Sequence, residues 1–207
     1  EAIIRLCRRA TEIDPDYAHA WALMALGQML VRFLTGGQGD DGLVAAERAL
    51  ALDTNLAEAH AVKARILSEG GRHDDASTEI EVALRLDPES YEVNRAAAYL
   101  RFRQKRLHES ILHFEKALAL METDVSSANM LMTCYLAVGD GEAAHRAARI
   151  TLERARKTLA QDPSNGAAMG FCCYALALLG QAESAKGWMS RAMLIDPDNI
   201  NMRYNFA

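Results

Sequence analysis

The chain has 207 residues, half of them hydrophobic and a quarter charged, which is enough apolar material for one or two ordinary domains or one continuous array. A net charge of -5 and a sequence pI near 5.7 give it no general basic field for nucleic acid or an anionic membrane surface. The longest apolar runs, such as GFCCYALALLG at 170–180, are too short to cross a bilayer, and the first residues lack the pattern of a secretory signal. A soluble, cytoplasmic chain is therefore expected.

The chain opens inside a helical pattern that closes on the phrase RATEIDPD, ending at Asp16. Variants of the phrase return as ALALDTNL to Leu56, ALRLDPES to Ser90, ALALMETD to Asp124, LAQDPSN to Asn165 and AMLIDPDN to Asn199. Measured at the proline site, Pro15, Thr54, Pro88, Glu122, Pro163 and Pro197 stand 39, 34, 34, 41 and 34 residues apart, and every proline in the chain falls at this phase. An aspartate capping a helix with a proline in the first helical turn is the role expected of each Asp-Pro pair, so that each phrase joins a helix end to a helix start. Between phrases lie two amphipathic stretches of about 13 to 15 residues, parted by polar breaks at 69–75, 103–109 and 138–142. Ile80, Ala83, Leu84 and Leu86 recur at helical spacing, as do Ile111, Phe114, Ala117 and Leu118, and no stretch alternates like a strand.

Two intervals exceed 34. The first carries five extra residues around RFLTGGQGDDG (32–42), which predicts a lengthened helix and a flexible glycine loop. A phosphate-binding loop needs a lysine and a hydroxyl residue after its last glycine, whereas Asp40 and Asp41 stand here, and a plain connecting loop with Asp40 or Asp41 as helix cap is expected. The fourth interval carries seven extra residues in 143–161, two helical turns that extend a helix by about 10 Å. Ala148, Leu152, Ala155 and Leu159 form an apolar stripe on the extension, flanked by Arg149, Arg154, Arg156 and Lys157. The stripe is expected to pack on its own array, a dimer or partner contact being the other reading.

The period of 34, the small residues Ala64, Ala76 and Ala83, and the closing Asp87-Pro88 together resemble a tetratricopeptide repeat. Cys173, Ala185 and Ala192 with Asp196-Pro197 resemble it too, as more loosely do Ala98, Ser110 and Ala117, and HAWALMALGQ (19–28) resembles the family's opening helix with Trp21 at its tryptophan site. The resemblance implies an all-α fold, an α-solenoid of stacked helix-turn-helix repeats forming a right-handed superhelix. It implies one array over 1–207: the second helix of a partial repeat at 1–15, five repeats at 16–54, 55–88, 89–122, 123–163 and 164–197, and the start of another at 198–207. Small residues at fixed sites let neighbouring helices approach closely. Gly42, Met132 and Thr151 depart from that pattern in the two repeats with insertions, where looser or shifted packing is expected. Ends without polar caps point to one region of a larger protein.

No catalytic constellation stands out. The six histidines are scattered, His108 and His113 are five apart and off a common helical face, and neither a His-Glu-x-x-His motif nor a nucleophile elbow occurs. Cys7, Cys134, Cys172 and Cys173 lack Cys-x-x-Cys spacing and read as reduced core thiols, with an adjacent Cys172-Cys173 redox pair as the sharper alternative. No enzyme activity, metal or cofactor is expected.

The implied fold invites binding, because the first helices of stacked hairpins line a concave groove. By repeat phase the groove-facing residues include Glu58, Arg65, Glu92, Arg95, Tyr99, Arg103, Asn129, Thr133 and Tyr174, with Arg95, Tyr99 and Arg103 spaced four apart. Arginine forks onto carboxylates and tyrosine offers rigid area with one polar tip. A scaffold for a protein or peptide partner is expected, an acidic partner included, without nucleic acid or membrane. The basic-asparagine pattern of the family's chaperone-tail receptors is not reproduced, since Ala61, Arg65, Ala96, Ser126 and Met130 stand at its sites. Two other readings remain open. One is the regulatory region of a larger bacterial signalling protein, such as a nucleotide cyclase or winged-helix regulator, whose alanine-rich, Asp-Pro-punctuated style the chain resembles. The other is self-association through the helix at 143–161 or the C-terminal helix.

Overall fold

A computed structural model describes residues 2–195 as eleven α-helices and the turns between them, with no strand among the described residues. The helices are α1 (Ala2–Ile13), α2 (Ala18–Leu34), α3 (Leu43–Leu52), α4 (Ala57–Glu69), α5 (His73–Leu86), α6 (Tyr91–Arg103), α7 (Leu107–Leu120), α8 (Val125–Ala137), α9 (Gly141–Gln161), α10 (Gly166–Leu178) and α11 (Ala182–Ile195). The Asp196-Pro197 pair, the further repeat expected at 198–207 and any dimer contact through it lie outside the described residues.

The helices gather into two compact units that divide within α7, between His113 and Phe114. In the first unit α4 packs on α5 and also on α2 and α6; in the second α9 packs on both α8 and α10, and α8 touches α10. Even-numbered helices thus meet even-numbered ones inside each unit. The core is built where the small residues predicted it: Ala64, Ala76, Ala83, Ala98, Ser110 and Ala117 are all fully buried, and the Ser110 hydroxyl donates to the Ala98 carbonyl at 2.9 Å. Around Ile80 in the first unit, Ala64, Ala76, Ala83, Val93 and Leu100 form one continuous apolar cluster.

The recurring phrase does join a helix end to a helix start, by a different device from the expected cap. Each turn is four residues long, at 14–17, 53–56, 87–90, 121–124 and 162–165. The aspartate is its first residue, following the last residue of one helix, and its carboxylate accepts the backbone N–H two residues on: Asp14 from Asp16, Asp53 from Asn55, Asp87 from Glu89 and Asp162 from Ser164, at 2.9–3.1 Å. Proline, with φ already fixed, takes the second place of this Asx turn. The N-cap comes two residues later, as in Ser90 accepting from Val93 N–H and Asn165 from Ala168 N–H. The carbonyl at the proline site is then bound by the side chain six residues on, Pro15 by Trp21 at 2.9 Å, Thr54 by His60 at 3.0 Å and Pro88 by Asn94 at 2.8 Å.

One turn lacks the aspartate. At 121–124 Met121 holds its place, and Arg154 of α9 reaches in instead: Nη1 donates to the Met121 and Asp124 carbonyls at 2.8 and 3.1 Å, and Nη2 to Leu118 at 3.2 Å. Arg154 therefore fastens the C-terminus of α7, where the helix dipole also favours a cation, and is not part of an outward basic flank. Arg149, Arg156 and Lys157 are exposed as expected.

The insertions are absorbed differently. Helix α9 is 21 residues long against 14 for α5, and Ala148, Leu152, Ala155 and Leu159 are all buried within the second unit. Helix α2, at 17 residues, is four longer than α4, but α3, at 10, is four shorter than α5, so the surplus lies in the loop 35–42. Asp40 and Asp41 accept the backbone N–H groups of Gly42 and Leu43, and Gly42 itself is the N-cap. Of the looser or shifted packing expected at the departures, a shift is seen in the changed lengths of α2 and α3, while the departing residues themselves are closely packed. Met132 and Thr151 are buried, Thr151 donating to the Ala147 carbonyl at 2.9 Å, and Gly42 lies closer to α2 than any larger residue could.

The hairpin links repeat as well. Gly71, Lys105, Gly139 and Gly180 occupy one repeat position, all with positive φ, and Lys105 at φ 59° is the only non-glycine there. A lysine in the left-handed region carries a Cβ penalty that glycine avoids, so Lys105→Gly is expected to stabilise the protein by about 0.5–1 kcal/mol. An unchanged or lower midpoint in urea would show the link relaxed at no cost.

Between α4 and α5, Glu79 accepts from Lys63 Nζ at 2.7 Å and meets His60 Nδ1 at 2.6 Å, while His60 Nε2 meets the Thr54 carbonyl. Burial alone would raise the Glu79 carboxyl, but hydrogen bonds and charge from Lys63 and His60 outweigh it and hold the group below the ordinary glutamate value of 4.5. A depressed native value means the stabilisation is present above the unfolded pKa and is lost as pH falls through the native one. Glu79→Gln is expected to cost about 1–2 kcal/mol at pH 7, and markedly less at pH 3. Urea melts at the two pH values check this, and equal losses at both would refute the ionic account.

Candidate functional site

The expected groove residues of the first unit stand on α4 and α6, which are locked into the core by Ala61, Ala64, Leu67, Ala96, Ala97 and Leu100. Residues at one repeat position meet across neighbouring helices, because the two helices are related by a shift of 34 residues. So the Arg65 guanidinium lies 5.1 Å from the centre of the Tyr99 ring, and Arg103 Nη2 pairs with Glu69 at 2.6 Å. Arg95, one turn before Tyr99, places its guanidinium 5.6 Å from the same ring centre and 6.0 Å from that of Tyr91, with Glu92 at 3.8 Å. Two guanidiniums therefore share one tyrosine, a cation–π arrangement that fixes their planes.

Arg65 is the unusual member. Its residue is only half-buried, yet its Nη1 is shut away from solvent and has no hydrogen-bond partner among the described residues. Burial lowers its pKa first and the charge of Arg95 lowers it further, with Tyr99, Glu92 and Glu69 acting in the opposite sense. No ion pair is formed by Arg65 among the described residues. Glu58, in the first turn of α4, is half-buried and joins none of these pairs.

Asn129, Thr133 and Tyr174 belong to the second unit, the first two on α8 and the third on α10. Thr133 donates to the Asn129 carbonyl at 3.3 Å, Asn129 Oδ1 is buried with no hydrogen-bond partner among the described residues, and the Tyr174 side chain is exposed. Two contributors were missed at the sequence level, Tyr91 and Glu69. Tyr91 continues the Arg95-Tyr99-Arg103 spacing backwards by one turn, and Glu69 precedes Arg103 by one period of 34, so both carried a readable signal.

A cleft of about 400 Å3 opens beside Glu69, lined also by Arg32, Phe33, Gly36, Asp41 and Ile66. The four cysteines are buried and form no disulfide among the described residues, and burial pushes the Cys172 thiol up to about 11, away from the thiolate that redox exchange requires. Among the described residues no cluster of His, Cys, Asp or Glu could hold a metal ion, and no helix is long and apolar enough to cross a membrane.

No family model matches the sequence, and no curated protein is similar enough to count as a relative. Solved structures do resemble it. YrrB, described as a TPR protein with an unusual peptide-binding site, aligns with a TM-score of 0.52 at 18% identity over 96% of each chain. PilF of Pseudomonas aeruginosa aligns with a TM-score of 0.62 at 20% identity, over 96% of this chain and 85% of that one. The human IFIT1 dimer with PPP-AAAA reaches 0.71 at 18% identity, over 92% of this chain, which spans only 44% of the IFIT1 chain. At these identities the likeness is one of fold, an all-α stack of helical hairpins.

Proposed function

We propose that this chain, an α-solenoid of the tetratricopeptide-repeat type, is a non-enzymatic protein-interaction scaffold that holds a segment of a partner protein on the α4–α6 face. The observation that carries the reading is the shared stacking of Arg65 and Arg95 on Tyr99, which presents oriented donors and aromatic area on a rigid base. Such preorganisation lowers the ordering cost of binding. The peptide-binding site named for YrrB, a protein of the same fold and similar length, supports the same use of the architecture.

Nucleic acid is not the ligand in this reading, although the IFIT1 dimer is described with PPP-AAAA, because Glu69 and Glu92 stand among the arginines and the chain is acidic overall. Self-association through the α9 stripe is not part of it either, since those four side chains are already covered.

The test is a comparison of partners captured from lysate by wild type and by the triple variant Arg95→Glu, Tyr99→Ala, Arg103→Glu, after circular dichroism shows both folded. The expected result is a partner bound by wild type and weakened at least tenfold in the variant. Identical partner sets at equal strength would overturn the reading.

A further inference from the structure

We infer that His60 stands in the folded chain as an imidazolium, protonated on both ring nitrogens, and that this proton fastens the turn before α4 to α5 as a pH-sensitive clasp. The inference does not depend on any partner.

The argument is one of donors and acceptors. His60 Nε2 lies 3.0 Å from the Thr54 carbonyl, and Nδ1 lies 2.6 Å from one carboxylate oxygen of Glu79. Both oxygens only accept, and a neutral imidazole carries a single N–H, so either tautomer would leave a lone pair facing an oxygen. Turning the ring over sets a carbon opposite each oxygen and loses both bonds. Glu79 does not supply the proton either, since its other oxygen takes the Lys63 ammonium at 2.7 Å, as an ionised carboxylate does. The His60 and Glu79 side chains are only 13% and 17% exposed, so water has little room to replace a lost bond.

The repeat supplies an internal comparison. Asn94 and His113 stand 34 residues after His60 and Glu79. Asn94 donates from Nδ2 to the Pro88 carbonyl at 2.8 Å and sets Oδ1 3.1 Å from His113 Nδ1. There a neutral amide joins turn, first helix and second helix with its donor on one atom and its acceptor on another. At the earlier copy the second helix presents a carboxylate, and only a ring with two N–H groups fits both sides.

In the unfolded chain neither bond exists, so folding favours the charged ring. Its contribution is present while the ring holds both protons and fades as pH rises through the loss of one. Glu79 acts in the opposite sense, and the clasp is closed in the window between the two. Among the described residues the ionised groups facing the ring are Glu79 of α5 and Lys63 of α4 itself, no ion pair joins it to α2, α3 or α6, and Asp53 in the turn is engaged with the Asn55 N–H. His60 lies in the first turn of α4, the helix that also carries Arg65 and Glu69.

Long-range 1H–15N spectra of the histidine rings test the proton, with the His60 signals identified by their absence in His60→Asn. At about pH 7 the two His60 nitrogens are expected to show the matched shifts of an imidazolium. The pH at which that pattern gives way should fall in Glu79→Gln and rise in Lys63→Met, which removes a competing cation; a ring that merely packs in place would follow neither. If Glu79→Gln does not fold, Lys63→Met carries this arm alone. Hydrogen exchange of the Ala59 amide, bonded to the Leu56 carbonyl at 3.1 Å, reads the clasp itself. Corrected for base catalysis, it should quicken at least tenfold from about pH 6 to about pH 9 in wild type and stay level in His60→Asn, where the amide keeps the bond to the turn without titrating. One bare nitrogen on His60 at pH 7, or a transition unmoved in the variants, overturns the protonation. Equal protection of Ala59 across that range overturns the clasp.

Discussion

Replacing Ile80 with alanine is expected to destabilise the protein by about 3–4 kcal/mol, toward the upper part of the range for buried aliphatic truncations. Ile80 has no solvent exposure and fills the space between α4, α5 and α6. Most of its neighbours in that cluster are alanines, among them Ala57, Ala61, Ala64, Ala76 and Ala83. An alanine has no rotamer with which to swing into a void, and helices already in close approach cannot move nearer to close it. The cavity should therefore persist. Ile80→Val, which removes one methylene group, should cost about 0.5–1.5 kcal/mol. Urea unfolding of the pair measures both, and similar small losses would mean that the hairpins slide to refill the space.

The second large effect is expected at Gly42. Its φ is 87°, and an added Cβ would sit 2.4 Å from the Ala25 carbonyl oxygen, a backbone atom that no rotamer change can move. Left-handed geometry adds about 1–2 kcal/mol for a non-glycine residue, and overpacking against a fixed neighbour typically about 1–3. Gly42→Ala should thus lower stability by about 2–5 kcal/mol, a fall in melting temperature of roughly 4–20 °C for a chain of this size. Gly37→Ala is the control: it also has positive φ, at 96°, but nothing lies within 4 Å of its added Cβ. A Gly42 variant no worse than the Gly37 variant would show that α3 retreats from α2 freely.

The stack of hairpins was legible in the sequence because it is written redundantly. The phrase, the small residues and the paired amphipathic stretches each mark the same phase, and the buried Ala64, Ala76 and Ala83 follow from any of them. What an aspartate does at the phrase was less legible. Asp-Pro suits an N-cap and an Asx turn equally, and only the position of the preceding helix end, at Leu86 before Asp87, separates them. Gly42 misled for a related reason. A missing alanine reads as missing material, whereas the residue is there because backbone meets backbone. Arg154 left no local trace, since its acceptors are carbonyls some thirty residues away that carry no side-chain identity. In the candidate site, Arg65 and Tyr99 could be placed by phase alone, but the withdrawal of one arginine nitrogen from water depends on packing at atomic scale and has no sequence signature.

The two insertions show how surplus chain can be stored in such a stack. Seven residues make almost two whole turns, so α9 lengthens and every residue after the insertion returns to within about 20° of its former bearing. A helix is in effect a vernier that accepts growth only in near-integral revolutions. Five residues would leave the following face rotated by about 140°, which no buried stripe survives. They are lodged in the loop 35–42, between helices whose lengths change in opposite senses. The long helix and the glycine loop are thus two kinds of storage. One is quantised and keeps the register of the side chains; the other takes any remainder, because nothing downstream inherits its angle.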